Sequence, residues 1–234
     1  MRLNYLKPIT ANGKEGGLGV SAIVIDQLRH ELHRMLSMAR DNVAKSFRSV
    51  LDRDPASLEE IEQREEYIDF LNREISRYVS KLISFETNEQ GSAVVSSFFA
   101  ISGNIERIGD YGKKLLEYYA YRQNRPKDFS QQAMTELSGM YAEAHHAIVT
   151  ALDGFINDDP DKAREVAPIA GKLRGLEVEL RNRHIQRLDK QECDSETGLV
   201  YVDILGIIEH IGYHSNNVAK ATISSCTAEH KAKA

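Results

Sequence analysis

The stretch GNIERIGDYG, residues 103–112, decides how this chain is read, because 103 residues later it returns in altered form as GIIEHIGYHS, residues 206–215. Across 101–109 and 204–212, six of nine positions are identical: Ile101/Ile204, Gly103/Gly206, Ile105/Ile208, Glu106/Glu209, Ile108/Ile211 and Gly109/Gly212. Isoleucines at 101, 105 and 108 share one face of a 3.6-residue helix. A glycine inside such a helix costs about 1 kcal/mol relative to alanine. Gly109 and Gly212 are therefore expected to admit a neighbouring backbone or side chain where a methyl group would not fit.

The repetition extends outward from this phrase. A shift of 105 residues carries Leu32 onto Leu137, Met35 onto Met140, Ala39 onto Ala144, Asp54-Pro55 onto Asp159-Pro160, Leu71 onto Leu176 and Glu74 onto Glu179 without a gap. The shift falls to 103 at the quoted phrase, so one loop is shorter by two residues in the second copy. Five prolines, no tryptophan and long runs free of Gly and Pro predict an all-α protein. The expected fold is six long helices arranged as two tandem three-helix bundles, over about 21–51, 57–84, 93–121, 130–156, 160–188 and 199–225. Pro126 ends the third, and Pro168 should kink the fifth or delay its start. The implied division is a linker at 1–19, one repeat at 20–125, a second at 126–226 and a tail at 227–234, the glycine-rich NGKEGGLG suiting a tether.

Composition narrows the function. Thirty basic against thirty-five acidic residues leave a net charge of -5, which argues against a nucleic-acid groove. The longest apolar stretch, AVVSSFFAISG, is far short of the roughly 20 residues that span a bilayer. No signal-like apolar run opens the sequence, so a cytoplasmic location is expected. Two cysteines, Cys193 and Cys226, lack metal-ligand spacing and read as reduced thiols.

Within the phrase, Glu106 and Asp110 stand four residues apart on one helix face. Such a pair is either a solvated stripe, with Asp110 paired to Lys114 and Glu106 to Arg107, or a pair of oxygen ligands for a hard or borderline cation. Spacing alone leaves both open.

IERIGDYGKKL resembles the signature that PhoU proteins carry on the third helix of each three-helix repeat. LRNRHIQRL at 180–188 and GLVYVDILGIIEHIGYHSNNVAKA, with His214 and Asn217, are similar to the cytoplasmic PhoU-like domain attached to bacterial sodium/phosphate cotransporters. LNYLKPI and SAIVIDQLRHELHRML near the start are similar to the segment that leads out of that transporter's membrane part, and the resemblance spans about residues 3–224. It implies a non-enzymatic regulatory domain of phosphate transport, cytoplasmic or tethered at the inner face of the plasma membrane. The implied partners are a membrane sodium/phosphate cotransporter, on the same chain or a separate one, and a second copy in a homodimer, with no nucleic acid. It also implies iron or zinc at one carboxylate site, held by Glu106, Asp110 and Glu209. The second copy departs from the signature: Tyr213 stands where the second Asp belongs, and His210 replaces the Arg. On the flanking helices the family's acids remain at Glu65 and Glu177 and give way to Asn72 and Ala170.

Two alternatives are a metal-free helical scaffold or dimerisation module and a ferritin-like di-iron protein. The latter needs a Glu-x-x-His pair from each of two helices. Only Glu143 to His146 matches it, outside the repeated phrase. His145, and the pair His210 and His214 on one face, read as polar helix surface. GKEGGLG lacks the closing Lys-Ser/Thr of a phosphate loop.

Overall fold

In a computed structural model, residues 2–6, 22–52, 58–85, 89–123 and 129–233 are described. They form α1 (Ala22–Asp52), α2 (Leu58–Phe85), α3 (Glu89–Gln123), α4 (Gln131–Ile156), α5 (Pro160–Arg164), α6 (Val166–Asp189) and α7 (Ser195–Lys233), and no strand occurs among the described residues. The expected fifth helix is α5 and α6 in two pieces, interrupted at Glu165. The cause is Pro168, which has no N–H to give the Arg164 carbonyl and whose ring would collide with it. Asp159 caps α5 by accepting from the backbone N–H of Asp161 and Lys162, with Pro160 at the first helical position. Its first-repeat counterpart, Asp54-Pro55, lies outside the described residues.

Helices α1 to α3 make one bundle and α4 to α7 the other. The most extensive contact in the molecule joins α3 to α7, the two helices that carry the repeated phrase. Ile101, Ile105 and Ile108 are fully buried, as are Ile204, Ile208 and Ile211, and one continuous apolar core runs through both bundles. Burial of a single such side chain supplies about 1.5–3 kcal/mol. The glycines are explained by their neighbours. A Cβ on Gly109 would lie 3.3 Å from Ile68, and one on Gly212 would lie 2.3 Å from Leu173. Ile68 and Leu173 are themselves related by the 105-residue shift, so the structure pairs α2 with α3 as it pairs α6 with α7.

Both ends of the chain do more than the sequence reading expects. Helix α7 continues to Lys233, through most of the stretch read as a tail. Cys226 is buried there, its thiol directed at Asp158 at 3.0 Å, and Arg29 of α1 pairs with Glu229 at 2.9 Å. At the other end, residues 2–6 of the expected linker lie against the first bundle, with Leu6 in the core.

Candidate functional site

The carboxylates gather where α2 crosses α3. Glu65 and Asp69 stand four residues apart on α2, and Glu106 and Asp110 four apart on α3, so each helix offers two acids from one ridge. Three contacts set the antiparallel register. Lys113 Nζ donates to Glu65 Oε2 at 3.0 Å, Ile68 fills the notch at Gly109, and Ser102 Oγ donates to Asn72 Oδ1 at 2.8 Å. One oxygen each from Glu65, Asp69 and Asp110 lie within 4.8 Å of one another, and Glu65 is buried.

Burial raises the pKa of Glu106, and the negative charges of Asp110, Asp69 and Glu65 raise it further against the opposing Arg107. Asp110 is raised by burial and by Asp69, opposed by Arg107 and Lys113. Arg107 is 3.5 Å from Asp110 and 3.8 Å from Glu106, and Arg73 is 3.9 Å from Asp69, but both arginines are well exposed, where water weakens the attraction. The patch therefore carries more negative charge than its own cations neutralise. An all-oxygen donor set with that excess fits a hard or borderline cation.

A carboxyl group whose pKa is higher folded than unfolded binds more protons in the native state, so it destabilises the fold increasingly as pH rises out of the ordinary carboxylate range. Glu106→Gln removes one such group. It should stabilise the metal-free protein at pH 7 by a few tenths of a kcal/mol, the size of like-charge repulsion four residues apart, and the gain should vanish at acid pH. Urea denaturation at pH 4 and pH 7 checks this, and a loss of stability at pH 7 would contradict it.

The second repeat does not fit such a cation. Its corresponding positions are Ala170, Arg174, Glu209 and Tyr213. Arg174 Nε lies 3.7 Å from Glu209, so a guanidinium stands in the position that Asp69 has in the first repeat. The sequence-derived ligands Glu106 and Asp110 are thus on the patch, joined by Glu65, while Glu209 is apart, with Arg174 and with His210 at 3.4 Å. Glu177 pairs with Arg181 on its own helix. Asp69 escaped the sequence reading, although the Glu-x-x-x-Asp spacing at 65–69 repeats that at 106–110 and was the available signal.

The histidines take other roles. His214 Nδ1 is 2.9 Å from Asn104 Oδ1, and Asn217 Nδ2 donates to the same oxygen at 3.2 Å, tying α7 to α3. An amide oxygen only accepts, so the imidazole donates from Nδ1. Burial, with help from His210 and Arg107, lowers the His214 pKa to about 4 and keeps the ring neutral at pH 7. Tyr111 stacks on His210 at 5.4 Å and leans on His214 at 5.8 Å. Of the ferritin-like pair, Glu143 is held by Lys172 and His146 is exposed, while His145 lies against Tyr141.

Fold and site together define a duplicated helix-bundle protein whose first repeat carries a carboxylate patch that the corresponding positions of the second do not reproduce. The chain belongs to the PhoU family: the model of the PhoU domain matches residues 32–119 and again 137–222, once on each repeat. It is similar to "Phosphate-specific transport system accessory protein PhoU homolog 1" of Thermotoga maritima, 21% identical over 84% of each chain. It is also similar to the "Phosphate-specific transport system accessory protein PhoU homolog" of Clostridium acetobutylicum, 24% identical over 88% of this chain and 93% of that one. Among solved structures, PhoU from Pseudomonas aeruginosa superposes with a TM-score of 0.77 at 18% identity, over 85% of this chain and 95% of that one. The phosphate transport system regulatory protein PhoU from Streptococcus pneumoniae gives 0.74 at 16% identity, over 85% and 93%. These superpositions agree with the all-helical, duplicated fold described above. No helix among the described residues is long and apolar enough to cross a membrane.

Proposed function

We propose that this chain is a non-enzymatic regulator of phosphate transport that acts from the cytoplasmic side on a membrane sodium/phosphate cotransporter, on the same polypeptide or as a separate partner. The observation that carries the reading is the double match to the PhoU domain, together with relatives named as phosphate-specific transport accessory proteins over most of their length. The finer assignment to a cotransporter rests on the resemblance of the 180–188 and 198–221 segments, whose His214 and Asn217 hold α7 against α3 through Asn104.

Regulation of this kind requires no bond making. It requires that the domain bind two states of the transporter unequally, and a tenfold bias corresponds to about 1.4 kcal/mol. A few interface side chains supply that much. Iron or zinc belongs to the same proposal: Glu65, Asp69 and Asp110 would hold the ion, with Glu106 beside them on α3, and it would supply the positive charge the patch lacks. Tethering at the inner membrane face and pairing of two copies complete the reading.

The test is phosphate uptake by cells carrying the native transporter with and without this domain, at low and high external phosphate. Deletion is expected to change the rate or its response to phosphate by several-fold at equal transporter abundance. Unchanged uptake under both conditions would overturn the regulatory reading in favour of a scaffold.

A further inference from the structure

Each repeat carries, in the first half of its first helix, a glutamate whose side chain is largely enclosed, and the two are satisfied by different means. Glu31 and Glu136 are related by the 105-residue shift. Glu136 is met by side chains of its own bundle: Arg187 donates to both of its oxygens, at 3.0 and 2.9 Å, and the Tyr201 hydroxyl donates at 2.6 Å. The first repeat has Leu82 in place of Arg187 and Phe98 in place of Tyr201, and neither can donate. Glu31 is nevertheless fully buried. Its carboxylate accepts the backbone N–H of Tyr5 at 2.8 Å and of Asn4 at 3.1 Å, besides an ion pair with Arg34.

The surroundings of Glu31 also fit the rest of this short segment, which bends at Asn4 and Tyr5. Leu6 is buried, Tyr5 lies 5.3 Å from the His30 ring, and the Arg2 carbonyl accepts from the Tyr67 hydroxyl at 2.7 Å. Arg34 lies over the Tyr67 ring and also reaches the Arg2 carbonyl. Backbone donors, a backbone acceptor and an apolar socket are all engaged within five consecutive residues.

We propose that the Glu31 end of the first repeat is a binding seat for a short non-helical peptide that bends where its two amides meet the carboxylate, filled in cis by residues 2–6, and that the matching seat at Glu136 has been closed by Arg187 and Tyr201. Two adjacent N–H groups directed at one buried carboxylate recognise backbone and ignore side-chain identity, while the socket selects an apolar residue just after them. The N-terminal segment is by this account part of the first bundle, and releasing it would leave a buried charge short of donors. Such a strap couples the attachment of the N-terminal segment to the stability of α1.

Amide hydrogen exchange on the full chain tests the cis contact. The Asn4 and Tyr5 amides should exchange on the order of 10–100-fold slower than in an unstructured peptide, as hydrogen bonds to a charged acceptor predict, and Glu31→Ala should abolish the protection. Exchange at peptide rates in the unsubstituted protein, or protection that survives Glu31→Ala, would overturn the proposal. A second measurement uses protein lacking residues 2–6 and a synthetic acetylated peptide of residues 1–6. Binding to this protein, and its loss with Glu31→Ala, is expected. Binding indifferent to Glu31, or moved to the Glu136 end, would refute the seat. If the shortened protein does not fold, the exchange result on the full chain decides alone.

Discussion

Arg187→Leu is expected to destabilise the protein by about 3–5 kcal/mol, the cost of leaving a buried charge without its partner. The Glu136 side chain is 8% exposed, and its two oxygens are taken by the two terminal nitrogens of Arg187 at 3.0 and 2.9 Å. Such a fork grips a carboxylate more strongly than a single contact does. The Arg187 guanidinium also lies 5.5 Å from the centre of the Tyr201 ring, so the substitution removes packing as well as charge. Burial by itself would raise the Glu136 pKa, but donors from Arg187, Tyr201 and Gln132 outweigh it and hold the group below its ordinary value. A depressed carboxylate pKa contributes stability above the unfolded-state value that is lost as pH falls through the folded-state value. In Arg187→Leu only the donors from Tyr201 and Gln132 remain against burial, so this dependence should weaken. Urea denaturation across pH 3 to 7 reads both effects. Combining Arg187→Leu with Glu136→Leu should restore most of the loss, since the penalty lies in the unpaired charge. A single variant within about 1 kcal/mol of the original protein would show that water reaches Glu136 and that the pair contributes little.

Metal, added as iron or zinc to stripped protein, is expected at the first repeat and not at the second. Asp69→Asn with Asp110→Asn should abolish retention, because it removes two of the three carboxylates whose oxygens approach within 4.8 Å. Glu209→Gln should leave retention unchanged, since Glu209 already faces Arg174. Elemental analysis of protein purified without a histidine tag measures both. Retention that survives the double substitution, or is lost with Glu209→Gln, would overturn this placement. Protein that takes up neither ion at any ratio would leave Lys113, Arg107 and Arg73 as the patch's counter-charges and remove metal from the proposed function.

How much of this was readable beforehand differs from residue to residue. The two-fold repetition, the all-helical class and the break near Pro168 all follow from local rules: a 3.6-residue period, a missing N–H and an arithmetical shift. The close approach at Gly109 could be anticipated only in kind, because nothing in the phrase says that Ile68 is what enters the notch. Asp69 was overlooked for a related reason. The Glu-x-x-x-Asp spacing at 65–69 shows that two acids share a face of α2, but not that this face meets Glu106 and Asp110. Helix α7 runs on past 226 because its end is held by distant partners, Arg29 and Asp158, which no local pattern reveals.

By itself, then, the sequence determined what depends on neighbours a few residues away: which segments are helical, which face of each is apolar, that the second phrase has lost an acid, and where the repeat falls. Only the tertiary structure decided which faces meet. It joined α2 to α3 so that four carboxylates share a patch, set Arg174 against Glu209 so that the second repeat neutralises itself, and laid residues 2–6 over Glu31. The physical reason is that helix formation is a local, backbone-directed process, whereas neutralising a buried charge needs a donor brought from anywhere in the chain. Leu82 and Phe98 could not serve as Arg187 and Tyr201 do, and beside Arg34 of its own helix Glu31 takes donors from backbone amides 26 and 27 residues away.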